Sequence, residues 1–148
     1  DPPTNPDGIN SGSHYALVNV LSGKALDVAG LSSNDGGNVH QWENFGNTNQ
    51  IWQVNHIDDN IYKLISANSG KCLDADNSGN NVHQWSCSGN ENQQWLVEAL
   101  SQGGYVIRTF VGNEVLTVDG ASGDNGSNII TTAGSNESHQ QWRFEFAY

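Results

Sequence analysis

Ser22-Gly-Lys-Ala-Leu-Asp27 recurs as Ser69-Gly-Lys-Cys-Leu-Asp74, and Asn38-Val-His-Gln-Trp42 recurs as Asn81-Val-His-Gln-Trp85. Each pair is followed by a Gln-x-Trp step, Gln50-Ile-Trp52 and then Gln93-Gln-Trp95, and a third such step stands at Gln140-Gln-Trp142. The region ending in the third step follows the first without a gap. Tyr15 falls on Tyr105, Leu26 on Leu116, Val28 on Val118, Gly30 on Gly120, Asn38 on Asn128 and Trp52 on Trp142. The second copy is shorter in one place: eleven steps separate Asp27 from Asn38, whereas seven separate Asp74 from Asn81, a loss of four residues. These matches define three internal repeats, over residues 15–54, 62–97 and 105–144. A repeat of about 40 residues is a supersecondary unit that cannot bury its apolar face alone, but three together can.

The local pattern within a repeat is strand-like. Aromatic and β-branched residues dominate Tyr15-Ala-Leu-Val-Asn-Val20, Tyr62-Lys-Leu-Ile65 and Tyr105-Val-Ile-Arg-Thr-Phe110, as strands prefer. Short apolar pieces near Leu26, Val39 and Ile51 are separated by Gly, Asn, Ser and Asp clusters suited to turns. No helical period of useful length is present. Each repeat is therefore expected to hold about four short strands, and the whole to be a closed, threefold, all-β body. All three prolines lie in residues 1–13, which read as a linker or tail. The domain is expected over 14–148, with repeats near 14–57, 58–101 and 102–148.

Composition narrows the function. The 148 residues carry 5 Lys and Arg against 16 Asp and Glu, a net charge of −11. So acidic a surface disfavours nucleic acid, polyanionic polysaccharide and anionic lipid as partners. No apolar run approaches the ~18 residues of a membrane span, and no secretory leader is visible. With no Met in the sequence, a mature chain or excised module is expected. Cys72 and Cys87 are the whole cysteine inventory. An even count fits one disulfide in an oxidising compartment, and two free thiols are the alternative.

The triple Gln-x-Trp, with its Leu-Asp and Val-His-Gln-Trp segments, resembles the ricin B-type lectin domain and, equally, the family 13 carbohydrate-binding modules of bacterial glycosidases. The resemblance covers nearly everything beyond Ser13. It implies a β-trefoil, a six-stranded barrel capped by three hairpins, with a sugar pocket possible in each repeat. It also implies that Trp52, Trp95 and Trp142 are structural core, and that Cys72 and Cys87 are bridged within one repeat.

Carried over residue by residue, the resemblance implies two equipped pockets. The carboxylate that accepts sugar hydroxyls is Asp27 in the first repeat and Asp74 in the second. The stacking rings are Trp42 and Trp85, preceded by His40 and His83. Asn49-Gln50 and Asn92-Gln93 complete the sets. The third repeat departs, with Thr117 for Asp, Ile130 for His, Thr132 for Trp and His139 for Asn. Only Gln140 and Trp142 of the frame remain. The chemistry of the set suits a sugar without the family: an aromatic ring meets its C–H face, and carboxylate and carboxamide meet its hydroxyls. Blander readings stand beside these. Trp42 and Trp85 are core, Asp27 and Asp74 cap turns, the histidines shape a wall, and Asn49 and Asn92 hold loops.

Other chemistries fit poorly. Asp74-Ala-Asp76-Asn-Ser78-Gly79 begins like a calcium loop, but Trp85 stands where a bidentate Glu is required. The five histidines form no HExxH, and two thiols are too few for a Cys₄ zinc site. The repeated carboxylates belong to separate pockets, unlike the paired acids of a glycosidase. The expectation is a non-catalytic, secreted, monomeric module with no metal and no cofactor. Its partner is a neutral oligo- or polysaccharide, and it is linked covalently to the catalytic domain of an extracellular glycosidase. A free-standing secreted lectin and a protein-binding or inhibitory trefoil are the alternatives.

Overall fold

The computed structural model describes residues 8–148. Twelve strands follow in chain order: β1 His14–Asn19, β2 Ala25–Val28, β3 Val39–Trp42, β4 Trp52–Asp58, β5 Ile61–Ser66, β6 Cys72–Ala75, β7 Val82–Trp85, β8 Trp95–Ala99, β9 Tyr105–Thr109, β10 Val115–Val118, β11 Ile129–Thr132 and β12 Trp142–Phe146. Short 3-10 turns are the helical segments among the described residues. Each repeat contributes four strands, as the apolar pieces of the sequence require.

Six strands close a barrel. β1 pairs antiparallel with β12 and β4, β5 with β4 and β8, and β9 with β8 and β12. The hairpins β2–β3, β6–β7 and β10–β11 cap it. The fold is the closed threefold body that the repeats imply, and it is the β-trefoil that the resemblance implies. Closure leaves no free barrel edge, and it sets the opening Tyr of every repeat opposite the Trp of that repeat's Gln-x-Trp step: Tyr15 opposite Trp52, Tyr62 opposite Trp95, Tyr105 opposite Trp142.

Those three tryptophans are fully buried, each at 0% exposure, and share one core cluster with Leu26, Leu73 and Leu116. Each indole nitrogen donates to the backbone carbonyl of that repeat's Leu, Trp52 to Leu26 at 3.1 Å, Trp95 to Leu73 at 3.0 Å and Trp142 to Leu116 at 3.0 Å. One side chain thus fills the core, satisfies its own polar atom and ties barrel to hairpin.

The amino-terminal segment differs from the tail read in the sequence. Ile9 is 1% exposed and belongs to the core cluster. The Gly12 N–H donates to the Val54 carbonyl at 2.8 Å, and the Val54 N–H donates back to Ser13 at 3.0 Å. Residues 8–13 therefore pack along β4, because an apolar side chain among turn residues still gains by burial. Residues 1–7 of the expected tail lie outside the described residues.

Cys72 and Cys87 form a disulfide, with Cα atoms 5.1 Å apart and a sequence separation of 15. It fastens the start of β6 to the segment after β7. Replacing both cysteines with Ser is expected to lower the unfolding free energy by about 2–3 kcal/mol in urea titrations. Trp52→Ala, Trp95→Ala and Trp142→Ala are each expected to cost about 3–5 kcal/mol by the same measurement, since each empties the core and orphans a carbonyl.

Candidate functional site

In an antiparallel hairpin, residues directly opposite share a face. β2 and β3 set Asp27 opposite His40, and β6 and β7 set Asp74 opposite His83. The following 3-10 turn then brings the Asn-Gln pair over the same carboxylate. Asp27 Oδ1 accepts from His40 Nε2 at 2.9 Å and from Asn49 Nδ2 at 3.2 Å, while Oδ2 accepts from Gln50 Nε2 at 2.8 Å. Asp74 repeats the arrangement with His83, Asn92 and Gln93, all at 2.9 Å. Because a carboxylate oxygen accepts, each imidazole carries its proton on Nε2.

Both carboxylates are buried and already take three protein donors, out of about four lone-pair positions. They are hubs that orient the other polar side chains, and each has little capacity left for a hydroxyl. The Gln side chains go further: Gln50 Nε2 also donates to Glu43 O, and Gln93 Nε2 to Ser86 O, which fixes the chain just beyond each exposed Trp.

Trp42 is 39% exposed and Trp85 45%, so neither is a core residue. Each ring stands beside its His, with centroids 5.5 Å and 5.6 Å apart. An open cleft of about 370 Å³ lies against Trp42, and one of about 380 Å³ against Trp85, within the range of small-ligand sites. All ten sequence-derived residues come together as two sets of five.

The rims of the two clefts differ. Leu31 and Phe45 flank the first cleft, and Asp76, Asn77 and Ser88 flank the second. Phe45 and Ser88 are aligned positions, each three residues beyond the exposed Trp, so this signal was present in the sequence. Leu31 falls within the stretch shortened in the second repeat.

Each cleft is lined by one repeat, but its exposed ring is backed by a loop of another. The loop 29–38 lies behind Trp85: Gln84 Nε2 donates to Ser32 O and Asn34 O, both at 2.9 Å, and a Cβ built on Gly36 would sit 3.6 Å from the Trp85 ring. The loop 119–128 lies behind Trp42 in the same way, with Gln41 Nε2 donating to Ser122 O at 3.0 Å and Asp124 O at 2.8 Å, and Gly126 against the ring. Asp35 reaches across to accept from the Ser86 N–H at 2.7 Å and its hydroxyl at 2.8 Å, and pairs with Lys71 at 3.1 Å. The Ser86 hydroxyl, and then Lys71, hold the Asp35 carboxyl below the usual carboxylate range.

In the third repeat the frame persists without the hub. Thr117 and Thr132 hydroxyls lie 2.9 Å apart, and Gln140 Nε2 donates to Thr132 Oγ1 at 3.1 Å and to Ala133 O at 3.0 Å. Ile130 faces Thr117 where His faces Asp elsewhere. The carbonyl of His139 accepts from Asn19 Nδ2. The start of the calcium-like stretch is an ordinary turn, in which Asp76 accepts from the Ser78 N–H at 3.0 Å and its hydroxyl at 2.9 Å.

Residues 7–80 and 48–132 match the family model described as ricin-type beta-trefoil lectin domain-like. The designed 3-fold symmetric protein ThreeFoil is 41% identical, over 89% of this chain and 97% of that one, with a TM-score of 0.87. The exo-β-1,3-galactanase 1,3Gal43A of Clostridium thermocellum is 25% identical over 97% of this chain, with a TM-score of 0.86, and this chain spans 31% of its length. The clotting factor G alpha subunit of Tachypleus tridentatus is 37% identical over 51 residues, 34% of this chain and 8% of that protein. The match thus spans a small part of that curated relative.

Removing a hub takes away the acceptor that the buried Gln93 amide shares with the half-buried His83 and Asn92 donors. Asp74→Ala is expected to lower the unfolding free energy by about 2–3 kcal/mol in chemical denaturation. Trp85→Ala, at an exposed position, is expected to change it by less than about 1 kcal/mol.

Proposed function

Because the chain belongs to the family of ricin-type β-trefoil lectin-like domains, we propose that it is a non-catalytic module that binds neutral glycans at two pockets, one in the first repeat and one in the second. The observation that carries this reading is the pair of exposed rings, Trp42 and Trp85, each beside an oriented set of His, Asn and Gln. A ring face takes the apolar side of a sugar, and fixed polar groups at its edge discriminate hydroxyl positions. In the first pocket, Asn49 is oriented by its Nδ2 group, which donates to Asp27 Oδ1 at 3.2 Å and to Val28 O at 3.0 Å.

The charge of −11 favours an uncharged polymer over an acidic one. Galactose-containing glycans are the first class to test, supported by the 25% identity to a β-1,3-galactanase across nearly the whole chain. That similarity supports a role in holding an attached glycosidase on its substrate. The disulfide supports an extracellular setting. Asp27 and Asp74 act here by orienting His, Asn and Gln, with one acceptor position each left for the sugar.

Calorimetric titration with β-1,3-galactobiose tests the reading. The expected stoichiometry is two per chain. Trp42→Ala is expected to remove one site and Trp85→Ala the other, and the double variant is expected to lose retention on an insoluble galactan. A stoichiometry of three, or a full site surviving in the double variant, would show that the third repeat binds and overturn the assignment.

A further inference from the structure

The second and third repeats meet at a groove, whereas the other two junctions are filled by hydrogen-bonded loops. There, a long loop packs on the neighbouring hairpin. Gln41 and Gln84 pin it, and Ser22 Oγ and Ser69 Oγ donate to their Oε1 atoms at 2.8 Å and 2.7 Å. At the remaining junction all three parts of this plug are changed. The loop 76–81 is the shortened one, Thr131 stands in place of the Gln, and Gly112 in place of the Ser. A cleft of about 190 Å³ is left between loop 76–81, the β9–β10 turn and β11.

We propose that this groove is a second sugar subsite, continuous with the Trp85 pocket, so that the second repeat binds two consecutive residues of an oligosaccharide while the first binds one. The two adjoin, since Asp76, Asn77 and Asn92 line both the pocket and the groove. The lining also has the mixed character of a sugar site. Val111, 66% exposed, offers an apolar face, while Glu114 and Asp76 offer acceptors and Thr131 and Asn77 offer polar groups that donate and accept. Hydrogen bonds from the Ser78 N–H and then its hydroxyl hold the Asp76 carboxyl below the usual range, which keeps it an acceptor.

The site is built before a ligand arrives. The N–H groups of Gly112 and Glu114 both donate to Thr109 Oγ1, at 3.2 Å and 3.1 Å, which fixes the β9–β10 turn. Gly79 has open space where a Cβ would stand, so that wall of the groove is clear. At the first pocket the corresponding direction is walled by Leu31 and the full-length loop behind it. A sugar chain leaving that pocket meets protein, whereas one leaving the second pocket meets a groove.

The inference rests on the sugar reading of the Trp85 pocket, and calorimetry on the full chain separates the two. Trp42→Ala, which leaves the second pocket, and Trp85→Ala, which leaves the first, are titrated with galactose, β-1,3-galactobiose and β-1,3-galactotriose. The xylose and glucose series of the same lengths are run alongside. The disaccharide of the series that binds is expected to bind Trp42→Ala about tenfold more tightly than its monosaccharide, with little gain at Trp85→Ala. Adding Val111→Ala and Glu114→Ala, both at exposed positions outside the pocket, is expected to abolish that gain and leave monosaccharide affinity unchanged. An equal gain at both pockets, or one that survives those two substitutions, overturns the groove and leaves the sugar reading standing. Failure of every sugar to bind the unsubstituted chain overturns both.

Discussion

The indole hydrogen bond from each Gln-x-Trp tryptophan to a leucine carbonyl is the constraint on which the molecule depends. The tryptophan begins the last barrel strand of a repeat, and the leucine lies in its capping hairpin. One bond therefore sets where the hairpin sits on the barrel. The residue after each leucine, Asp27, Asp74 or Thr117, is thereby aimed at the Gln two residues before the same tryptophan. Frame and pocket are adjacent in sequence but separable in energy. The third repeat keeps its tryptophan bond and gives up its carboxylate, and the β-trefoil closes all the same.

Symmetry makes the repeats neighbours in a ring, and each exposed ring is backed by a loop that another repeat supplies. This couples two sequence changes that look independent. Loop 29–38 supports Trp85 and loop 119–128 supports Trp42. The shortened loop 76–81 adjoins β11, with the Asn80 carbonyl accepting from the Thr131 N–H, and β11 ends in Thr132, where no ring is present. A large aromatic needs a surface to pack on, so the deletion in one repeat and the loss of the ring in the next are two aspects of one altered junction.

A closed, threefold, all-β body was legible in the sequence because repetition reports symmetry, and the resemblance to ricin B-type domains implied that this body is a β-trefoil. The burial of Trp52, Trp95 and Trp142 and the convergence of Asp, His, Asn and Gln were legible through the resemblance to ricin B-type domains, whose motif residues recur here between repeats. What recurs does not reveal how a group spends its hydrogen bonds. The aspartates read as free acceptors for sugar hydroxyls, yet three protein donors occupy each. The rims were hidden for the opposite reason: Leu31, Phe45, Asp76 and Ser88 are what the repeats do not share. Ile9 was missed because a single apolar residue among prolines and glycines has no period, and its burial depends on β4, more than forty positions away.

Two pockets of unequal shape on one rigid body behave differently from two copies of one pocket. If both engage a single polymer, the second contact forms at an effective concentration set by the distance between them, and avidity follows without new interactions. With identical pockets, any stretch of chain serves both. On the proposed sugar reading, with Leu31 and Phe45 beside one ring and Asp76, Asn77 and Ser88 beside the other, each pocket would prefer its own pattern of hydroxyls and branches. The polymer that gains most is one presenting both patterns at the right separation. Selectivity is then a property of the pair, and it comes from the sequence differences between the repeats on a frame that their similarity holds fixed.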